Sequence, residues 1–214
     1  MPLTHVVRQG ECMTQIARRH GFADFTVVYD HPDNAELRKR RPNPHVLRPG
    51  DEVAIPDREL KSVPCATCKT HRFVAKRPTR ALRVELQDAS GEPIAGAPFR
   101  LAAGGWAQTG KTSATGLVEA KIPIELAELR LELGRLVRVL HVGHLDPLRE
   151  TDDDGVPGVQ ARLANLGWNP GPVDGVVGPR TRRAIRAFQR SCGLRPTGSI
   201  DDALLAKLEA EHGC

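Results

Sequence analysis

The sequence predicts a multidomain α+β chain: a βααβ block, then a small β-sandwich, then three helices. Three observations predict it. Apolar residues first recur at helical spacing between two strand-like runs, switch to alternation from Ala81, and return to helical spacing after about residue 156. Stretches rich in charge and turn residues, "DRELKSVPCATCKTHRFVAKRPTR" and "ETDDDGVPG", stand at the two switches. Of the 214 residues 40% are hydrophobic but only 4% aromatic. The cores must therefore be small and aliphatic, and a broad aromatic platform for stacking single-stranded nucleic acid is not expected. The boundaries that follow are 1–57, a linker at 58–80, 81–147 and 148–214.

In the first block "THVVRQG" reads as a short strand. "ECMTQIARRHGF" follows as a helix, with Met13, Ile16, Ala17 and His20 at helical spacing and Gly21 placed to end it. "VLRPGDEVAIP" closes the block: Pro49-Gly50 makes the corner, and Val53 and Ile55 alternate inward. Antiparallel pairing of the outer strands would put the helices on one face. "HVVRQGECMTQIARRHGF" and "NPHVLRPGDEVAIP" resemble the two ends of a lysin-motif (LysM) domain, a βααβ fold that binds N-acetylglucosamine-containing glycans. The resemblance implies that sugar lies against Gly10, Glu11, Cys12 and Met13 and against Val46, Leu47, Arg48 and Pro49. Glu11-Cys12 replaces the usual Asp-Thr, and the spacer "YDHPDNAELRKRRPNPH" is longer than common. Related lysin-motif domains also serve as structural parts of contractile tail machines, so both readings stand.

From Ala81, "ALRVELQDASGEPIAGAPFRLAAGG", "GLVEAKIPI", "LRLELG" and "LVRVLHVG" predict five or six short strands with Gly/Pro turns. "DASGEPIAGAPFRL" resembles the prealbumin-like or carboxypeptidase-regulatory-like sandwiches common as spacers, which implies a rigid arm without chemistry of its own.

In the last block Val159, Leu163 and Leu166 fall at i, i+4 and i+7, with Gly167 ending the helix. Thr181, Ala184, Ile185 and Phe188 form a second apolar face. "TGSIDDALLAKLEAEHG" makes a third helix, with Ser199 or Asp201 as cap and Leu204, Leu205 and Leu208 inward. Between the first two helices, "NPGPVDGVVGPR" combines glycines that admit unusual backbone geometry, prolines that fix φ, and an Asp able to lock a turn. The whole block resembles the peptidoglycan-binding domain (PG_binding_1-like) appended to many wall hydrolases. That resemblance implies contacts from Trp168, Asn169, Asp174, Gly175, Arg180 and Arg182. Over nearly the full length, with "HRF" at His71 to Phe73 and "GHLDP" at Gly143 to Pro147, the chain resembles accessory proteins of type VI secretion and related contractile-injection clusters.

Other chemistry is weighed against this. "CATCKTH" offers Cys65, Cys68 and His71 at zinc-ligand spacing, but a tetrahedral site needs a fourth ligand. His5, Cys12 or His31 would have to supply it, and inert thiols rank above zinc or a labile disulfide. Cys192 and Cys214 would pair in an oxidising space, with two reduced thiols ranked ahead of that disulfide. No enzyme is expected: a glycosidase needs two opposed carboxylates, Asp152 to Asp154 sit in a hinge, and the three blocks leave no catalytic domain. No catalytic residue, cofactor or metal is assigned.

Residues 1–80 carry 15 Lys/Arg against 9 Asp/Glu, 81–150 carry 8 against 9, and 151–214 carry 8 against 8. The basic excess suits an anionic neighbour, with nucleic acid ranked last among partners. Peptidoglycan ranks first, with secretion spike, tube or effector proteins beside it and no membrane. The start lacks the pattern of a secretory signal, and no apolar run approaches the roughly 20 residues of a membrane span. Synthesis in the cytoplasm is expected, with any export to the periplasm or a target cell left to a contractile system. The function expected is thus non-catalytic cell-wall binding, with a structural adaptor for spike components or effectors as the alternative.

Overall fold

The computed structural model describes residues 3–58, 64–72, 74 and 77–213. Contacts divide the chain into two compact units, Met1–Pro56 with Gly143–Cys214, and Asp57–Val142.

In the first unit, β1 (Leu3–Val6) pairs antiparallel with β2 (Glu52–Ile55), Leu3 opposite Ile55 and Val6 opposite Glu52. Between them run α1 (Met13–Arg19), α2 (Thr26–Tyr29), a 3₁₀ turn at Pro32–Asn34 and α3 (Ala35–Arg40). Met13, Ile16 and Ala17 of α1 meet Val53 and Ile55 of β2 in one core with Val28, Leu37 and Leu47. His20 does not join that face; it ends α1 half-buried, its ring bonded to His5 at 3.2 Å. A two-stranded sheet leaves backbone groups open along each edge. On β2 the buried Asn34 side chain answers this: its amide nitrogen donates to Ala54 O (2.7 Å) and Val28 O (2.8 Å), and its oxygen accepts from Ala54 N (2.8 Å).

The basic run that ends α3 is partly internal. Arg41 is buried and grips Asp51 with two parallel bonds, Nε to Oδ2 at 2.8 Å and Nη2 to Oδ1 at 3.2 Å. Its remaining nitrogen donates to the Glu150 carbonyl at 2.9 Å and the Arg149 carbonyl at 3.4 Å. Arg48 pairs with Asp152 (3.2 Å) and Asp153 (3.3 Å). Residues 1–56 and the segment 143–155 are thereby stitched together through hydrogen-bonded charge.

That segment leads into α4 (Val156–Asn165), α5 (Pro179–Ser191) and α6 (Asp202–His212). Val159 and Leu163 from α4, Ala184, Ile185 and Phe188 from α5, and Leu204, Leu205 and Leu208 from α6 close on one core, with Leu148 beneath them. Asp201 caps α6, its carboxylate accepting from Leu204 N at 2.9 Å. Arg162 of α4 is buried and donates to Asp146 O at 2.8 Å, which fixes the preceding segment against the helices.

In the second unit all strand pairings are antiparallel. β3 (Thr79–Glu85) pairs with β6 (Leu117–Pro123), and a four-stranded sheet runs in the order β5 (Trp106–Lys111), β4 (Pro98–Ala103), β7 (Glu128–Leu133), β8 (Leu136–His141). Strand alternation sends Val118, Ala120 and Ile122 of β6 into one apolar cluster with Phe99 and Leu101 of β4 and Leu129 and Leu131 of β7. The two sheets share that core. Asp88 shapes the first turn, its Oδ1 accepting from the Ser90 and Glu92 amides. Among the described residues no helix is long and apolar enough to cross a membrane.

Candidate functional site

The loop 169–178 between α4 and α5 is organised by one side chain. Gln160 lies on the α4 face turned toward the loop and is fully buried. Its oxygen accepts from Gly175 N (2.9 Å) and Asp174 N (3.1 Å), and its nitrogen donates to Asp174 Oδ1 (2.9 Å) and Val176 O (3.1 Å). Thr181, at the start of α5, closes the far side by donating to Pro170 O at 3.1 Å. The Asp174 carboxylate also accepts from Val176 N at 3.0 Å. The Gln160 amide first and the Val176 N–H second hold its pKa below the usual carboxylate value. The loop needs left-handed backbone at Gly171 (φ 94°) and Gly175 (φ 75°), where a side chain would strain it. A buried amide and a charged Asx-type turn thus fix the loop before any ligand arrives.

The six residues expected to contact peptidoglycan are not gathered into one cradle. Asp174 and Gly175 spend their polar groups on Gln160. Asn169 is exposed, its side-chain oxygen accepting from Gly171 N at 3.3 Å. Arg180 is exposed beside Gly171, and Arg182 is exposed on α5. Trp168 turns elsewhere, half-buried and edge-on to Phe188, with ring centroids 6.2 Å apart. Together with Leu166, Cys192, Lys207 and Glu211 those two rings line a shallow depression of about 420 Å³. Lys207 and Glu211 pair at 2.6 Å on its rim, and the Glu211 bond raises the lysine pKa. Of the six expected residues only Trp168 lines this hollow. Gln160, Lys207 and Glu211 were missed by sequence reasoning. A glutamine one position from Val159 on an otherwise apolar face was the available signal for the first.

The residues expected to face glycan in the first block lie mostly inside it. Gly10, Glu11, Cys12, Met13 and Leu47 are buried and Arg48 is half-buried. The segment 143–153 lies against them: a Cβ on Gly10 would stand 3.2 Å from the His144 ring. Arg48 is held by Asp152 and Asp153. Glu11 works inward, bonding His5 Nε2 at 2.9 Å, the Arg8 amide at 3.0 Å and the Arg19 guanidinium. Burial pushes its carboxyl up, but these three donors outweigh burial and hold it below its ordinary value. His20 is pushed below its ordinary value by burial, then by His5 and Arg19.

Cys65 and Cys68 are free and exposed, and the His71 ring bonds to Ala66 O at 2.9 Å. Cys12 is buried in the first block. Among the described residues no group of three or more His, Cys, Asp or Glu side chains is placed to hold a metal ion. Cys192 is a free thiol on the rim of the Trp168 depression. Its expected partner Cys214, and Phe73 of "HRF", lie outside the described residues. A second hollow, about 560 Å³, runs along β4 and β5, where Arg100 is already paired with Glu132 at 3.4 Å.

Residues 152–208 match the family described as "Putative peptidoglycan binding domain". The chain is similar to the "Localization factor PodJL" of Caulobacter vibrioides, 52% identical over 49 residues, which is 23% of this chain and 5% of that protein. It is also similar to an "Uncharacterized protein in bpoA1 3'region" of Kitasatospora aureofaciens, 39% identical over 67 residues, 30% of this chain and 57% of that one. The chain therefore spans only a small part of the first of these relatives and just over half of the second. No solved structure matches the chain at the significance required.

Proposed function

We propose that this is a non-catalytic peptidoglycan-binding protein that engages the wall through its three C-terminal helices and the loop between α4 and α5. One observation carries the reading. The stretch matching a peptidoglycan-binding family, residues 152–208, contains the loop that Gln160 and Asp174 hold rigid. A loop ordered in advance loses little entropy on binding, which is what a module built to grip rather than react requires.

The first block has a different role in this reading. The residues that a lysin motif would offer to sugar are turned inward or covered by 143–153, which favours a structural part over a second glycan site. We place the protein beside contractile-injection machinery on the whole-chain resemblance, as an accessory whose first block braces the wall-binding helices. The adaptor alternative, docking spike components or effectors without any wall contact, shares that brace and differs in the partner of the helices.

Co-sedimentation of the full chain with purified sacculi tests the proposal. The protein is expected in the pellet, displaced by soluble muropeptides, with no muropeptides released into the supernatant. Protein that stays in solution while correctly folded sinks the wall-binding reading, and release of muropeptides sinks the non-catalytic one.

A further inference from the structure

Over residues 151–214 the formal charges cancel, 8 basic against 8 acidic, but they are segregated. Residues 175–200 hold six arginines, no lysine and no acid. α5 sets four of them together: Arg182, Arg186 and Arg190 follow one another at i, i+4 and i+8, with Arg183 beside them. Thr181, Ala184, Ile185 and Phe188 are buried on the other side of the helix, and the buried Gln189 borders the stripe. Arg182, Arg183 and Arg190 are exposed and Arg186 is half-buried. Among the described residues none of the four is ion-paired with an acid. Arg186 is seated on the loop that follows α5, where a Cβ on Gly198 would come within 2.8 Å of its Nη1.

Like charges one turn apart destabilise a helix, and nothing in the core requires this stripe. A partner of opposite charge would turn the repulsion into attraction. The choice of guanidinium throughout narrows the partner. A planar fork takes a carboxylate or a phosphate bidentately and sheds water more readily than an ammonium does, and of these two anions the stem peptides of peptidoglycan offer carboxylates. From Arg182 to Arg190 the stripe runs about 12 Å along the helix at 1.5 Å per residue, long enough to meet several anionic groups in a row.

Resting on the peptidoglycan-binding reading, we propose that the Arg182, Arg186 and Arg190 face of α5 docks on the free carboxylates of peptidoglycan stem peptides. The stripe supplies charge-matched contacts across neighbouring stem peptides, while the fixed loop sets the orientation of α5.

The test is co-sedimentation of the full chain with native sacculi and with sacculi whose carboxylates have been amidated, at one ionic strength. The Arg182→Gln/Arg186→Gln/Arg190→Gln variant is compared with Lys111→Gln/Lys121→Gln/Arg138→Gln, which removes three charges from exposed positions of the second unit. The α5 variant is expected to bind native sacculi about tenfold more weakly, as for the loss of three exposed ion pairs. The control variant is expected to bind like wild type. Wild type on amidated sacculi is expected to fall to the level of the α5 variant, an arm that involves no substitution and no question of folding. Equal retention of wild type and the α5 variant on native sacculi overturns the stripe and leaves wall binding standing. Loss in the α5 variant with no effect of amidation also overturns it, since the anion would then be a phosphate of another polymer or a nucleic acid. Wild type that fails to sediment with native sacculi overturns this proposal and the wall-binding reading together.

Discussion

Gln160 is the residue on which the α4–α5 loop turns. Its amide holds two backbone N–H groups, one carbonyl and the Asp174 carboxylate from a buried position. Gln160→Leu keeps the approximate volume and removes every one of those bonds. Buried donors left without acceptors cost about 1–3 kcal/mol each, softened here because Asp174 and Gly175 lie near solvent. The expected loss of stability is about 2–3 kcal/mol in denaturant unfolding. Amide exchange at Asp174 and Gly175 is expected to quicken far more than in α6. Unchanged exchange at those two amides would show that the glycine and proline geometry holds the loop without Gln160.

Elements were legible where their signal was local and periodic. α1, α5 and α6 follow from spacing because Ile16 faces the core of the first block and Ile185 and Leu208 face that of the C-terminal helices, and the alternation of β4, β6 and β7 follows in the same way. What spacing could not show was burial imposed from far along the chain. Gly10 reads as an exposed loop residue until His144 is laid against it. Nor does a charge sum over a whole block reveal the arginine stripe on α5, since segregation along the chain cancels in the total. The join between β1 and α1 carries its own prediction. Glu11 ties His5 to Arg19, and the His20 ring meets His5 edge-on. Glu11 titrates below its ordinary 4.5 and His20 below its ordinary 6.5. For both groups a lowered folded-state value means stability is full above the ordinary value and is lost as pH falls through the folded one. The first unit is therefore expected to weaken in two stages on acidification, beginning below pH 6.5 and again below 4.5. His20→Gln should shrink the upper stage and Glu11→Gln the lower, as read by thermal midpoint against pH; what is left of each belongs to His212, also lowered, and to the lowered carboxyls of Asp24, Asp153 and Asp174 in the same unit. A midpoint independent of pH from 7 to 3 in the wild type would refute this assignment.

At the scale of the whole molecule, the first unit joins the two ends of the chain, and Arg41 is its fastening. The guanidinium is 3% exposed, meets Asp51 bidentately, and completes its bonding on the carbonyls of Arg149 and Glu150, more than 100 positions away. Breaking a buried pair by removing one partner strands the other charge, at a cost of about 3–5 kcal/mol. Arg41→Met leaves Asp51 buried, with the Arg48 amide as its remaining donor among the described residues, and frees the segment that Arg162 clamps at Asp146. The consequence should not stop at the first block. If 1–56 braces the C-terminal helices, amides in α4 must lose hydrogen-exchange protection together with those in α1, by similar free energies. Arg83→Met, removing a long exposed pair at 3.9 Å in the second unit, is expected to change neither. Loss of protection confined to α1–α3 would mean that the two stretches touch without supporting one another. The three C-terminal helices would then have to hold their loop unaided.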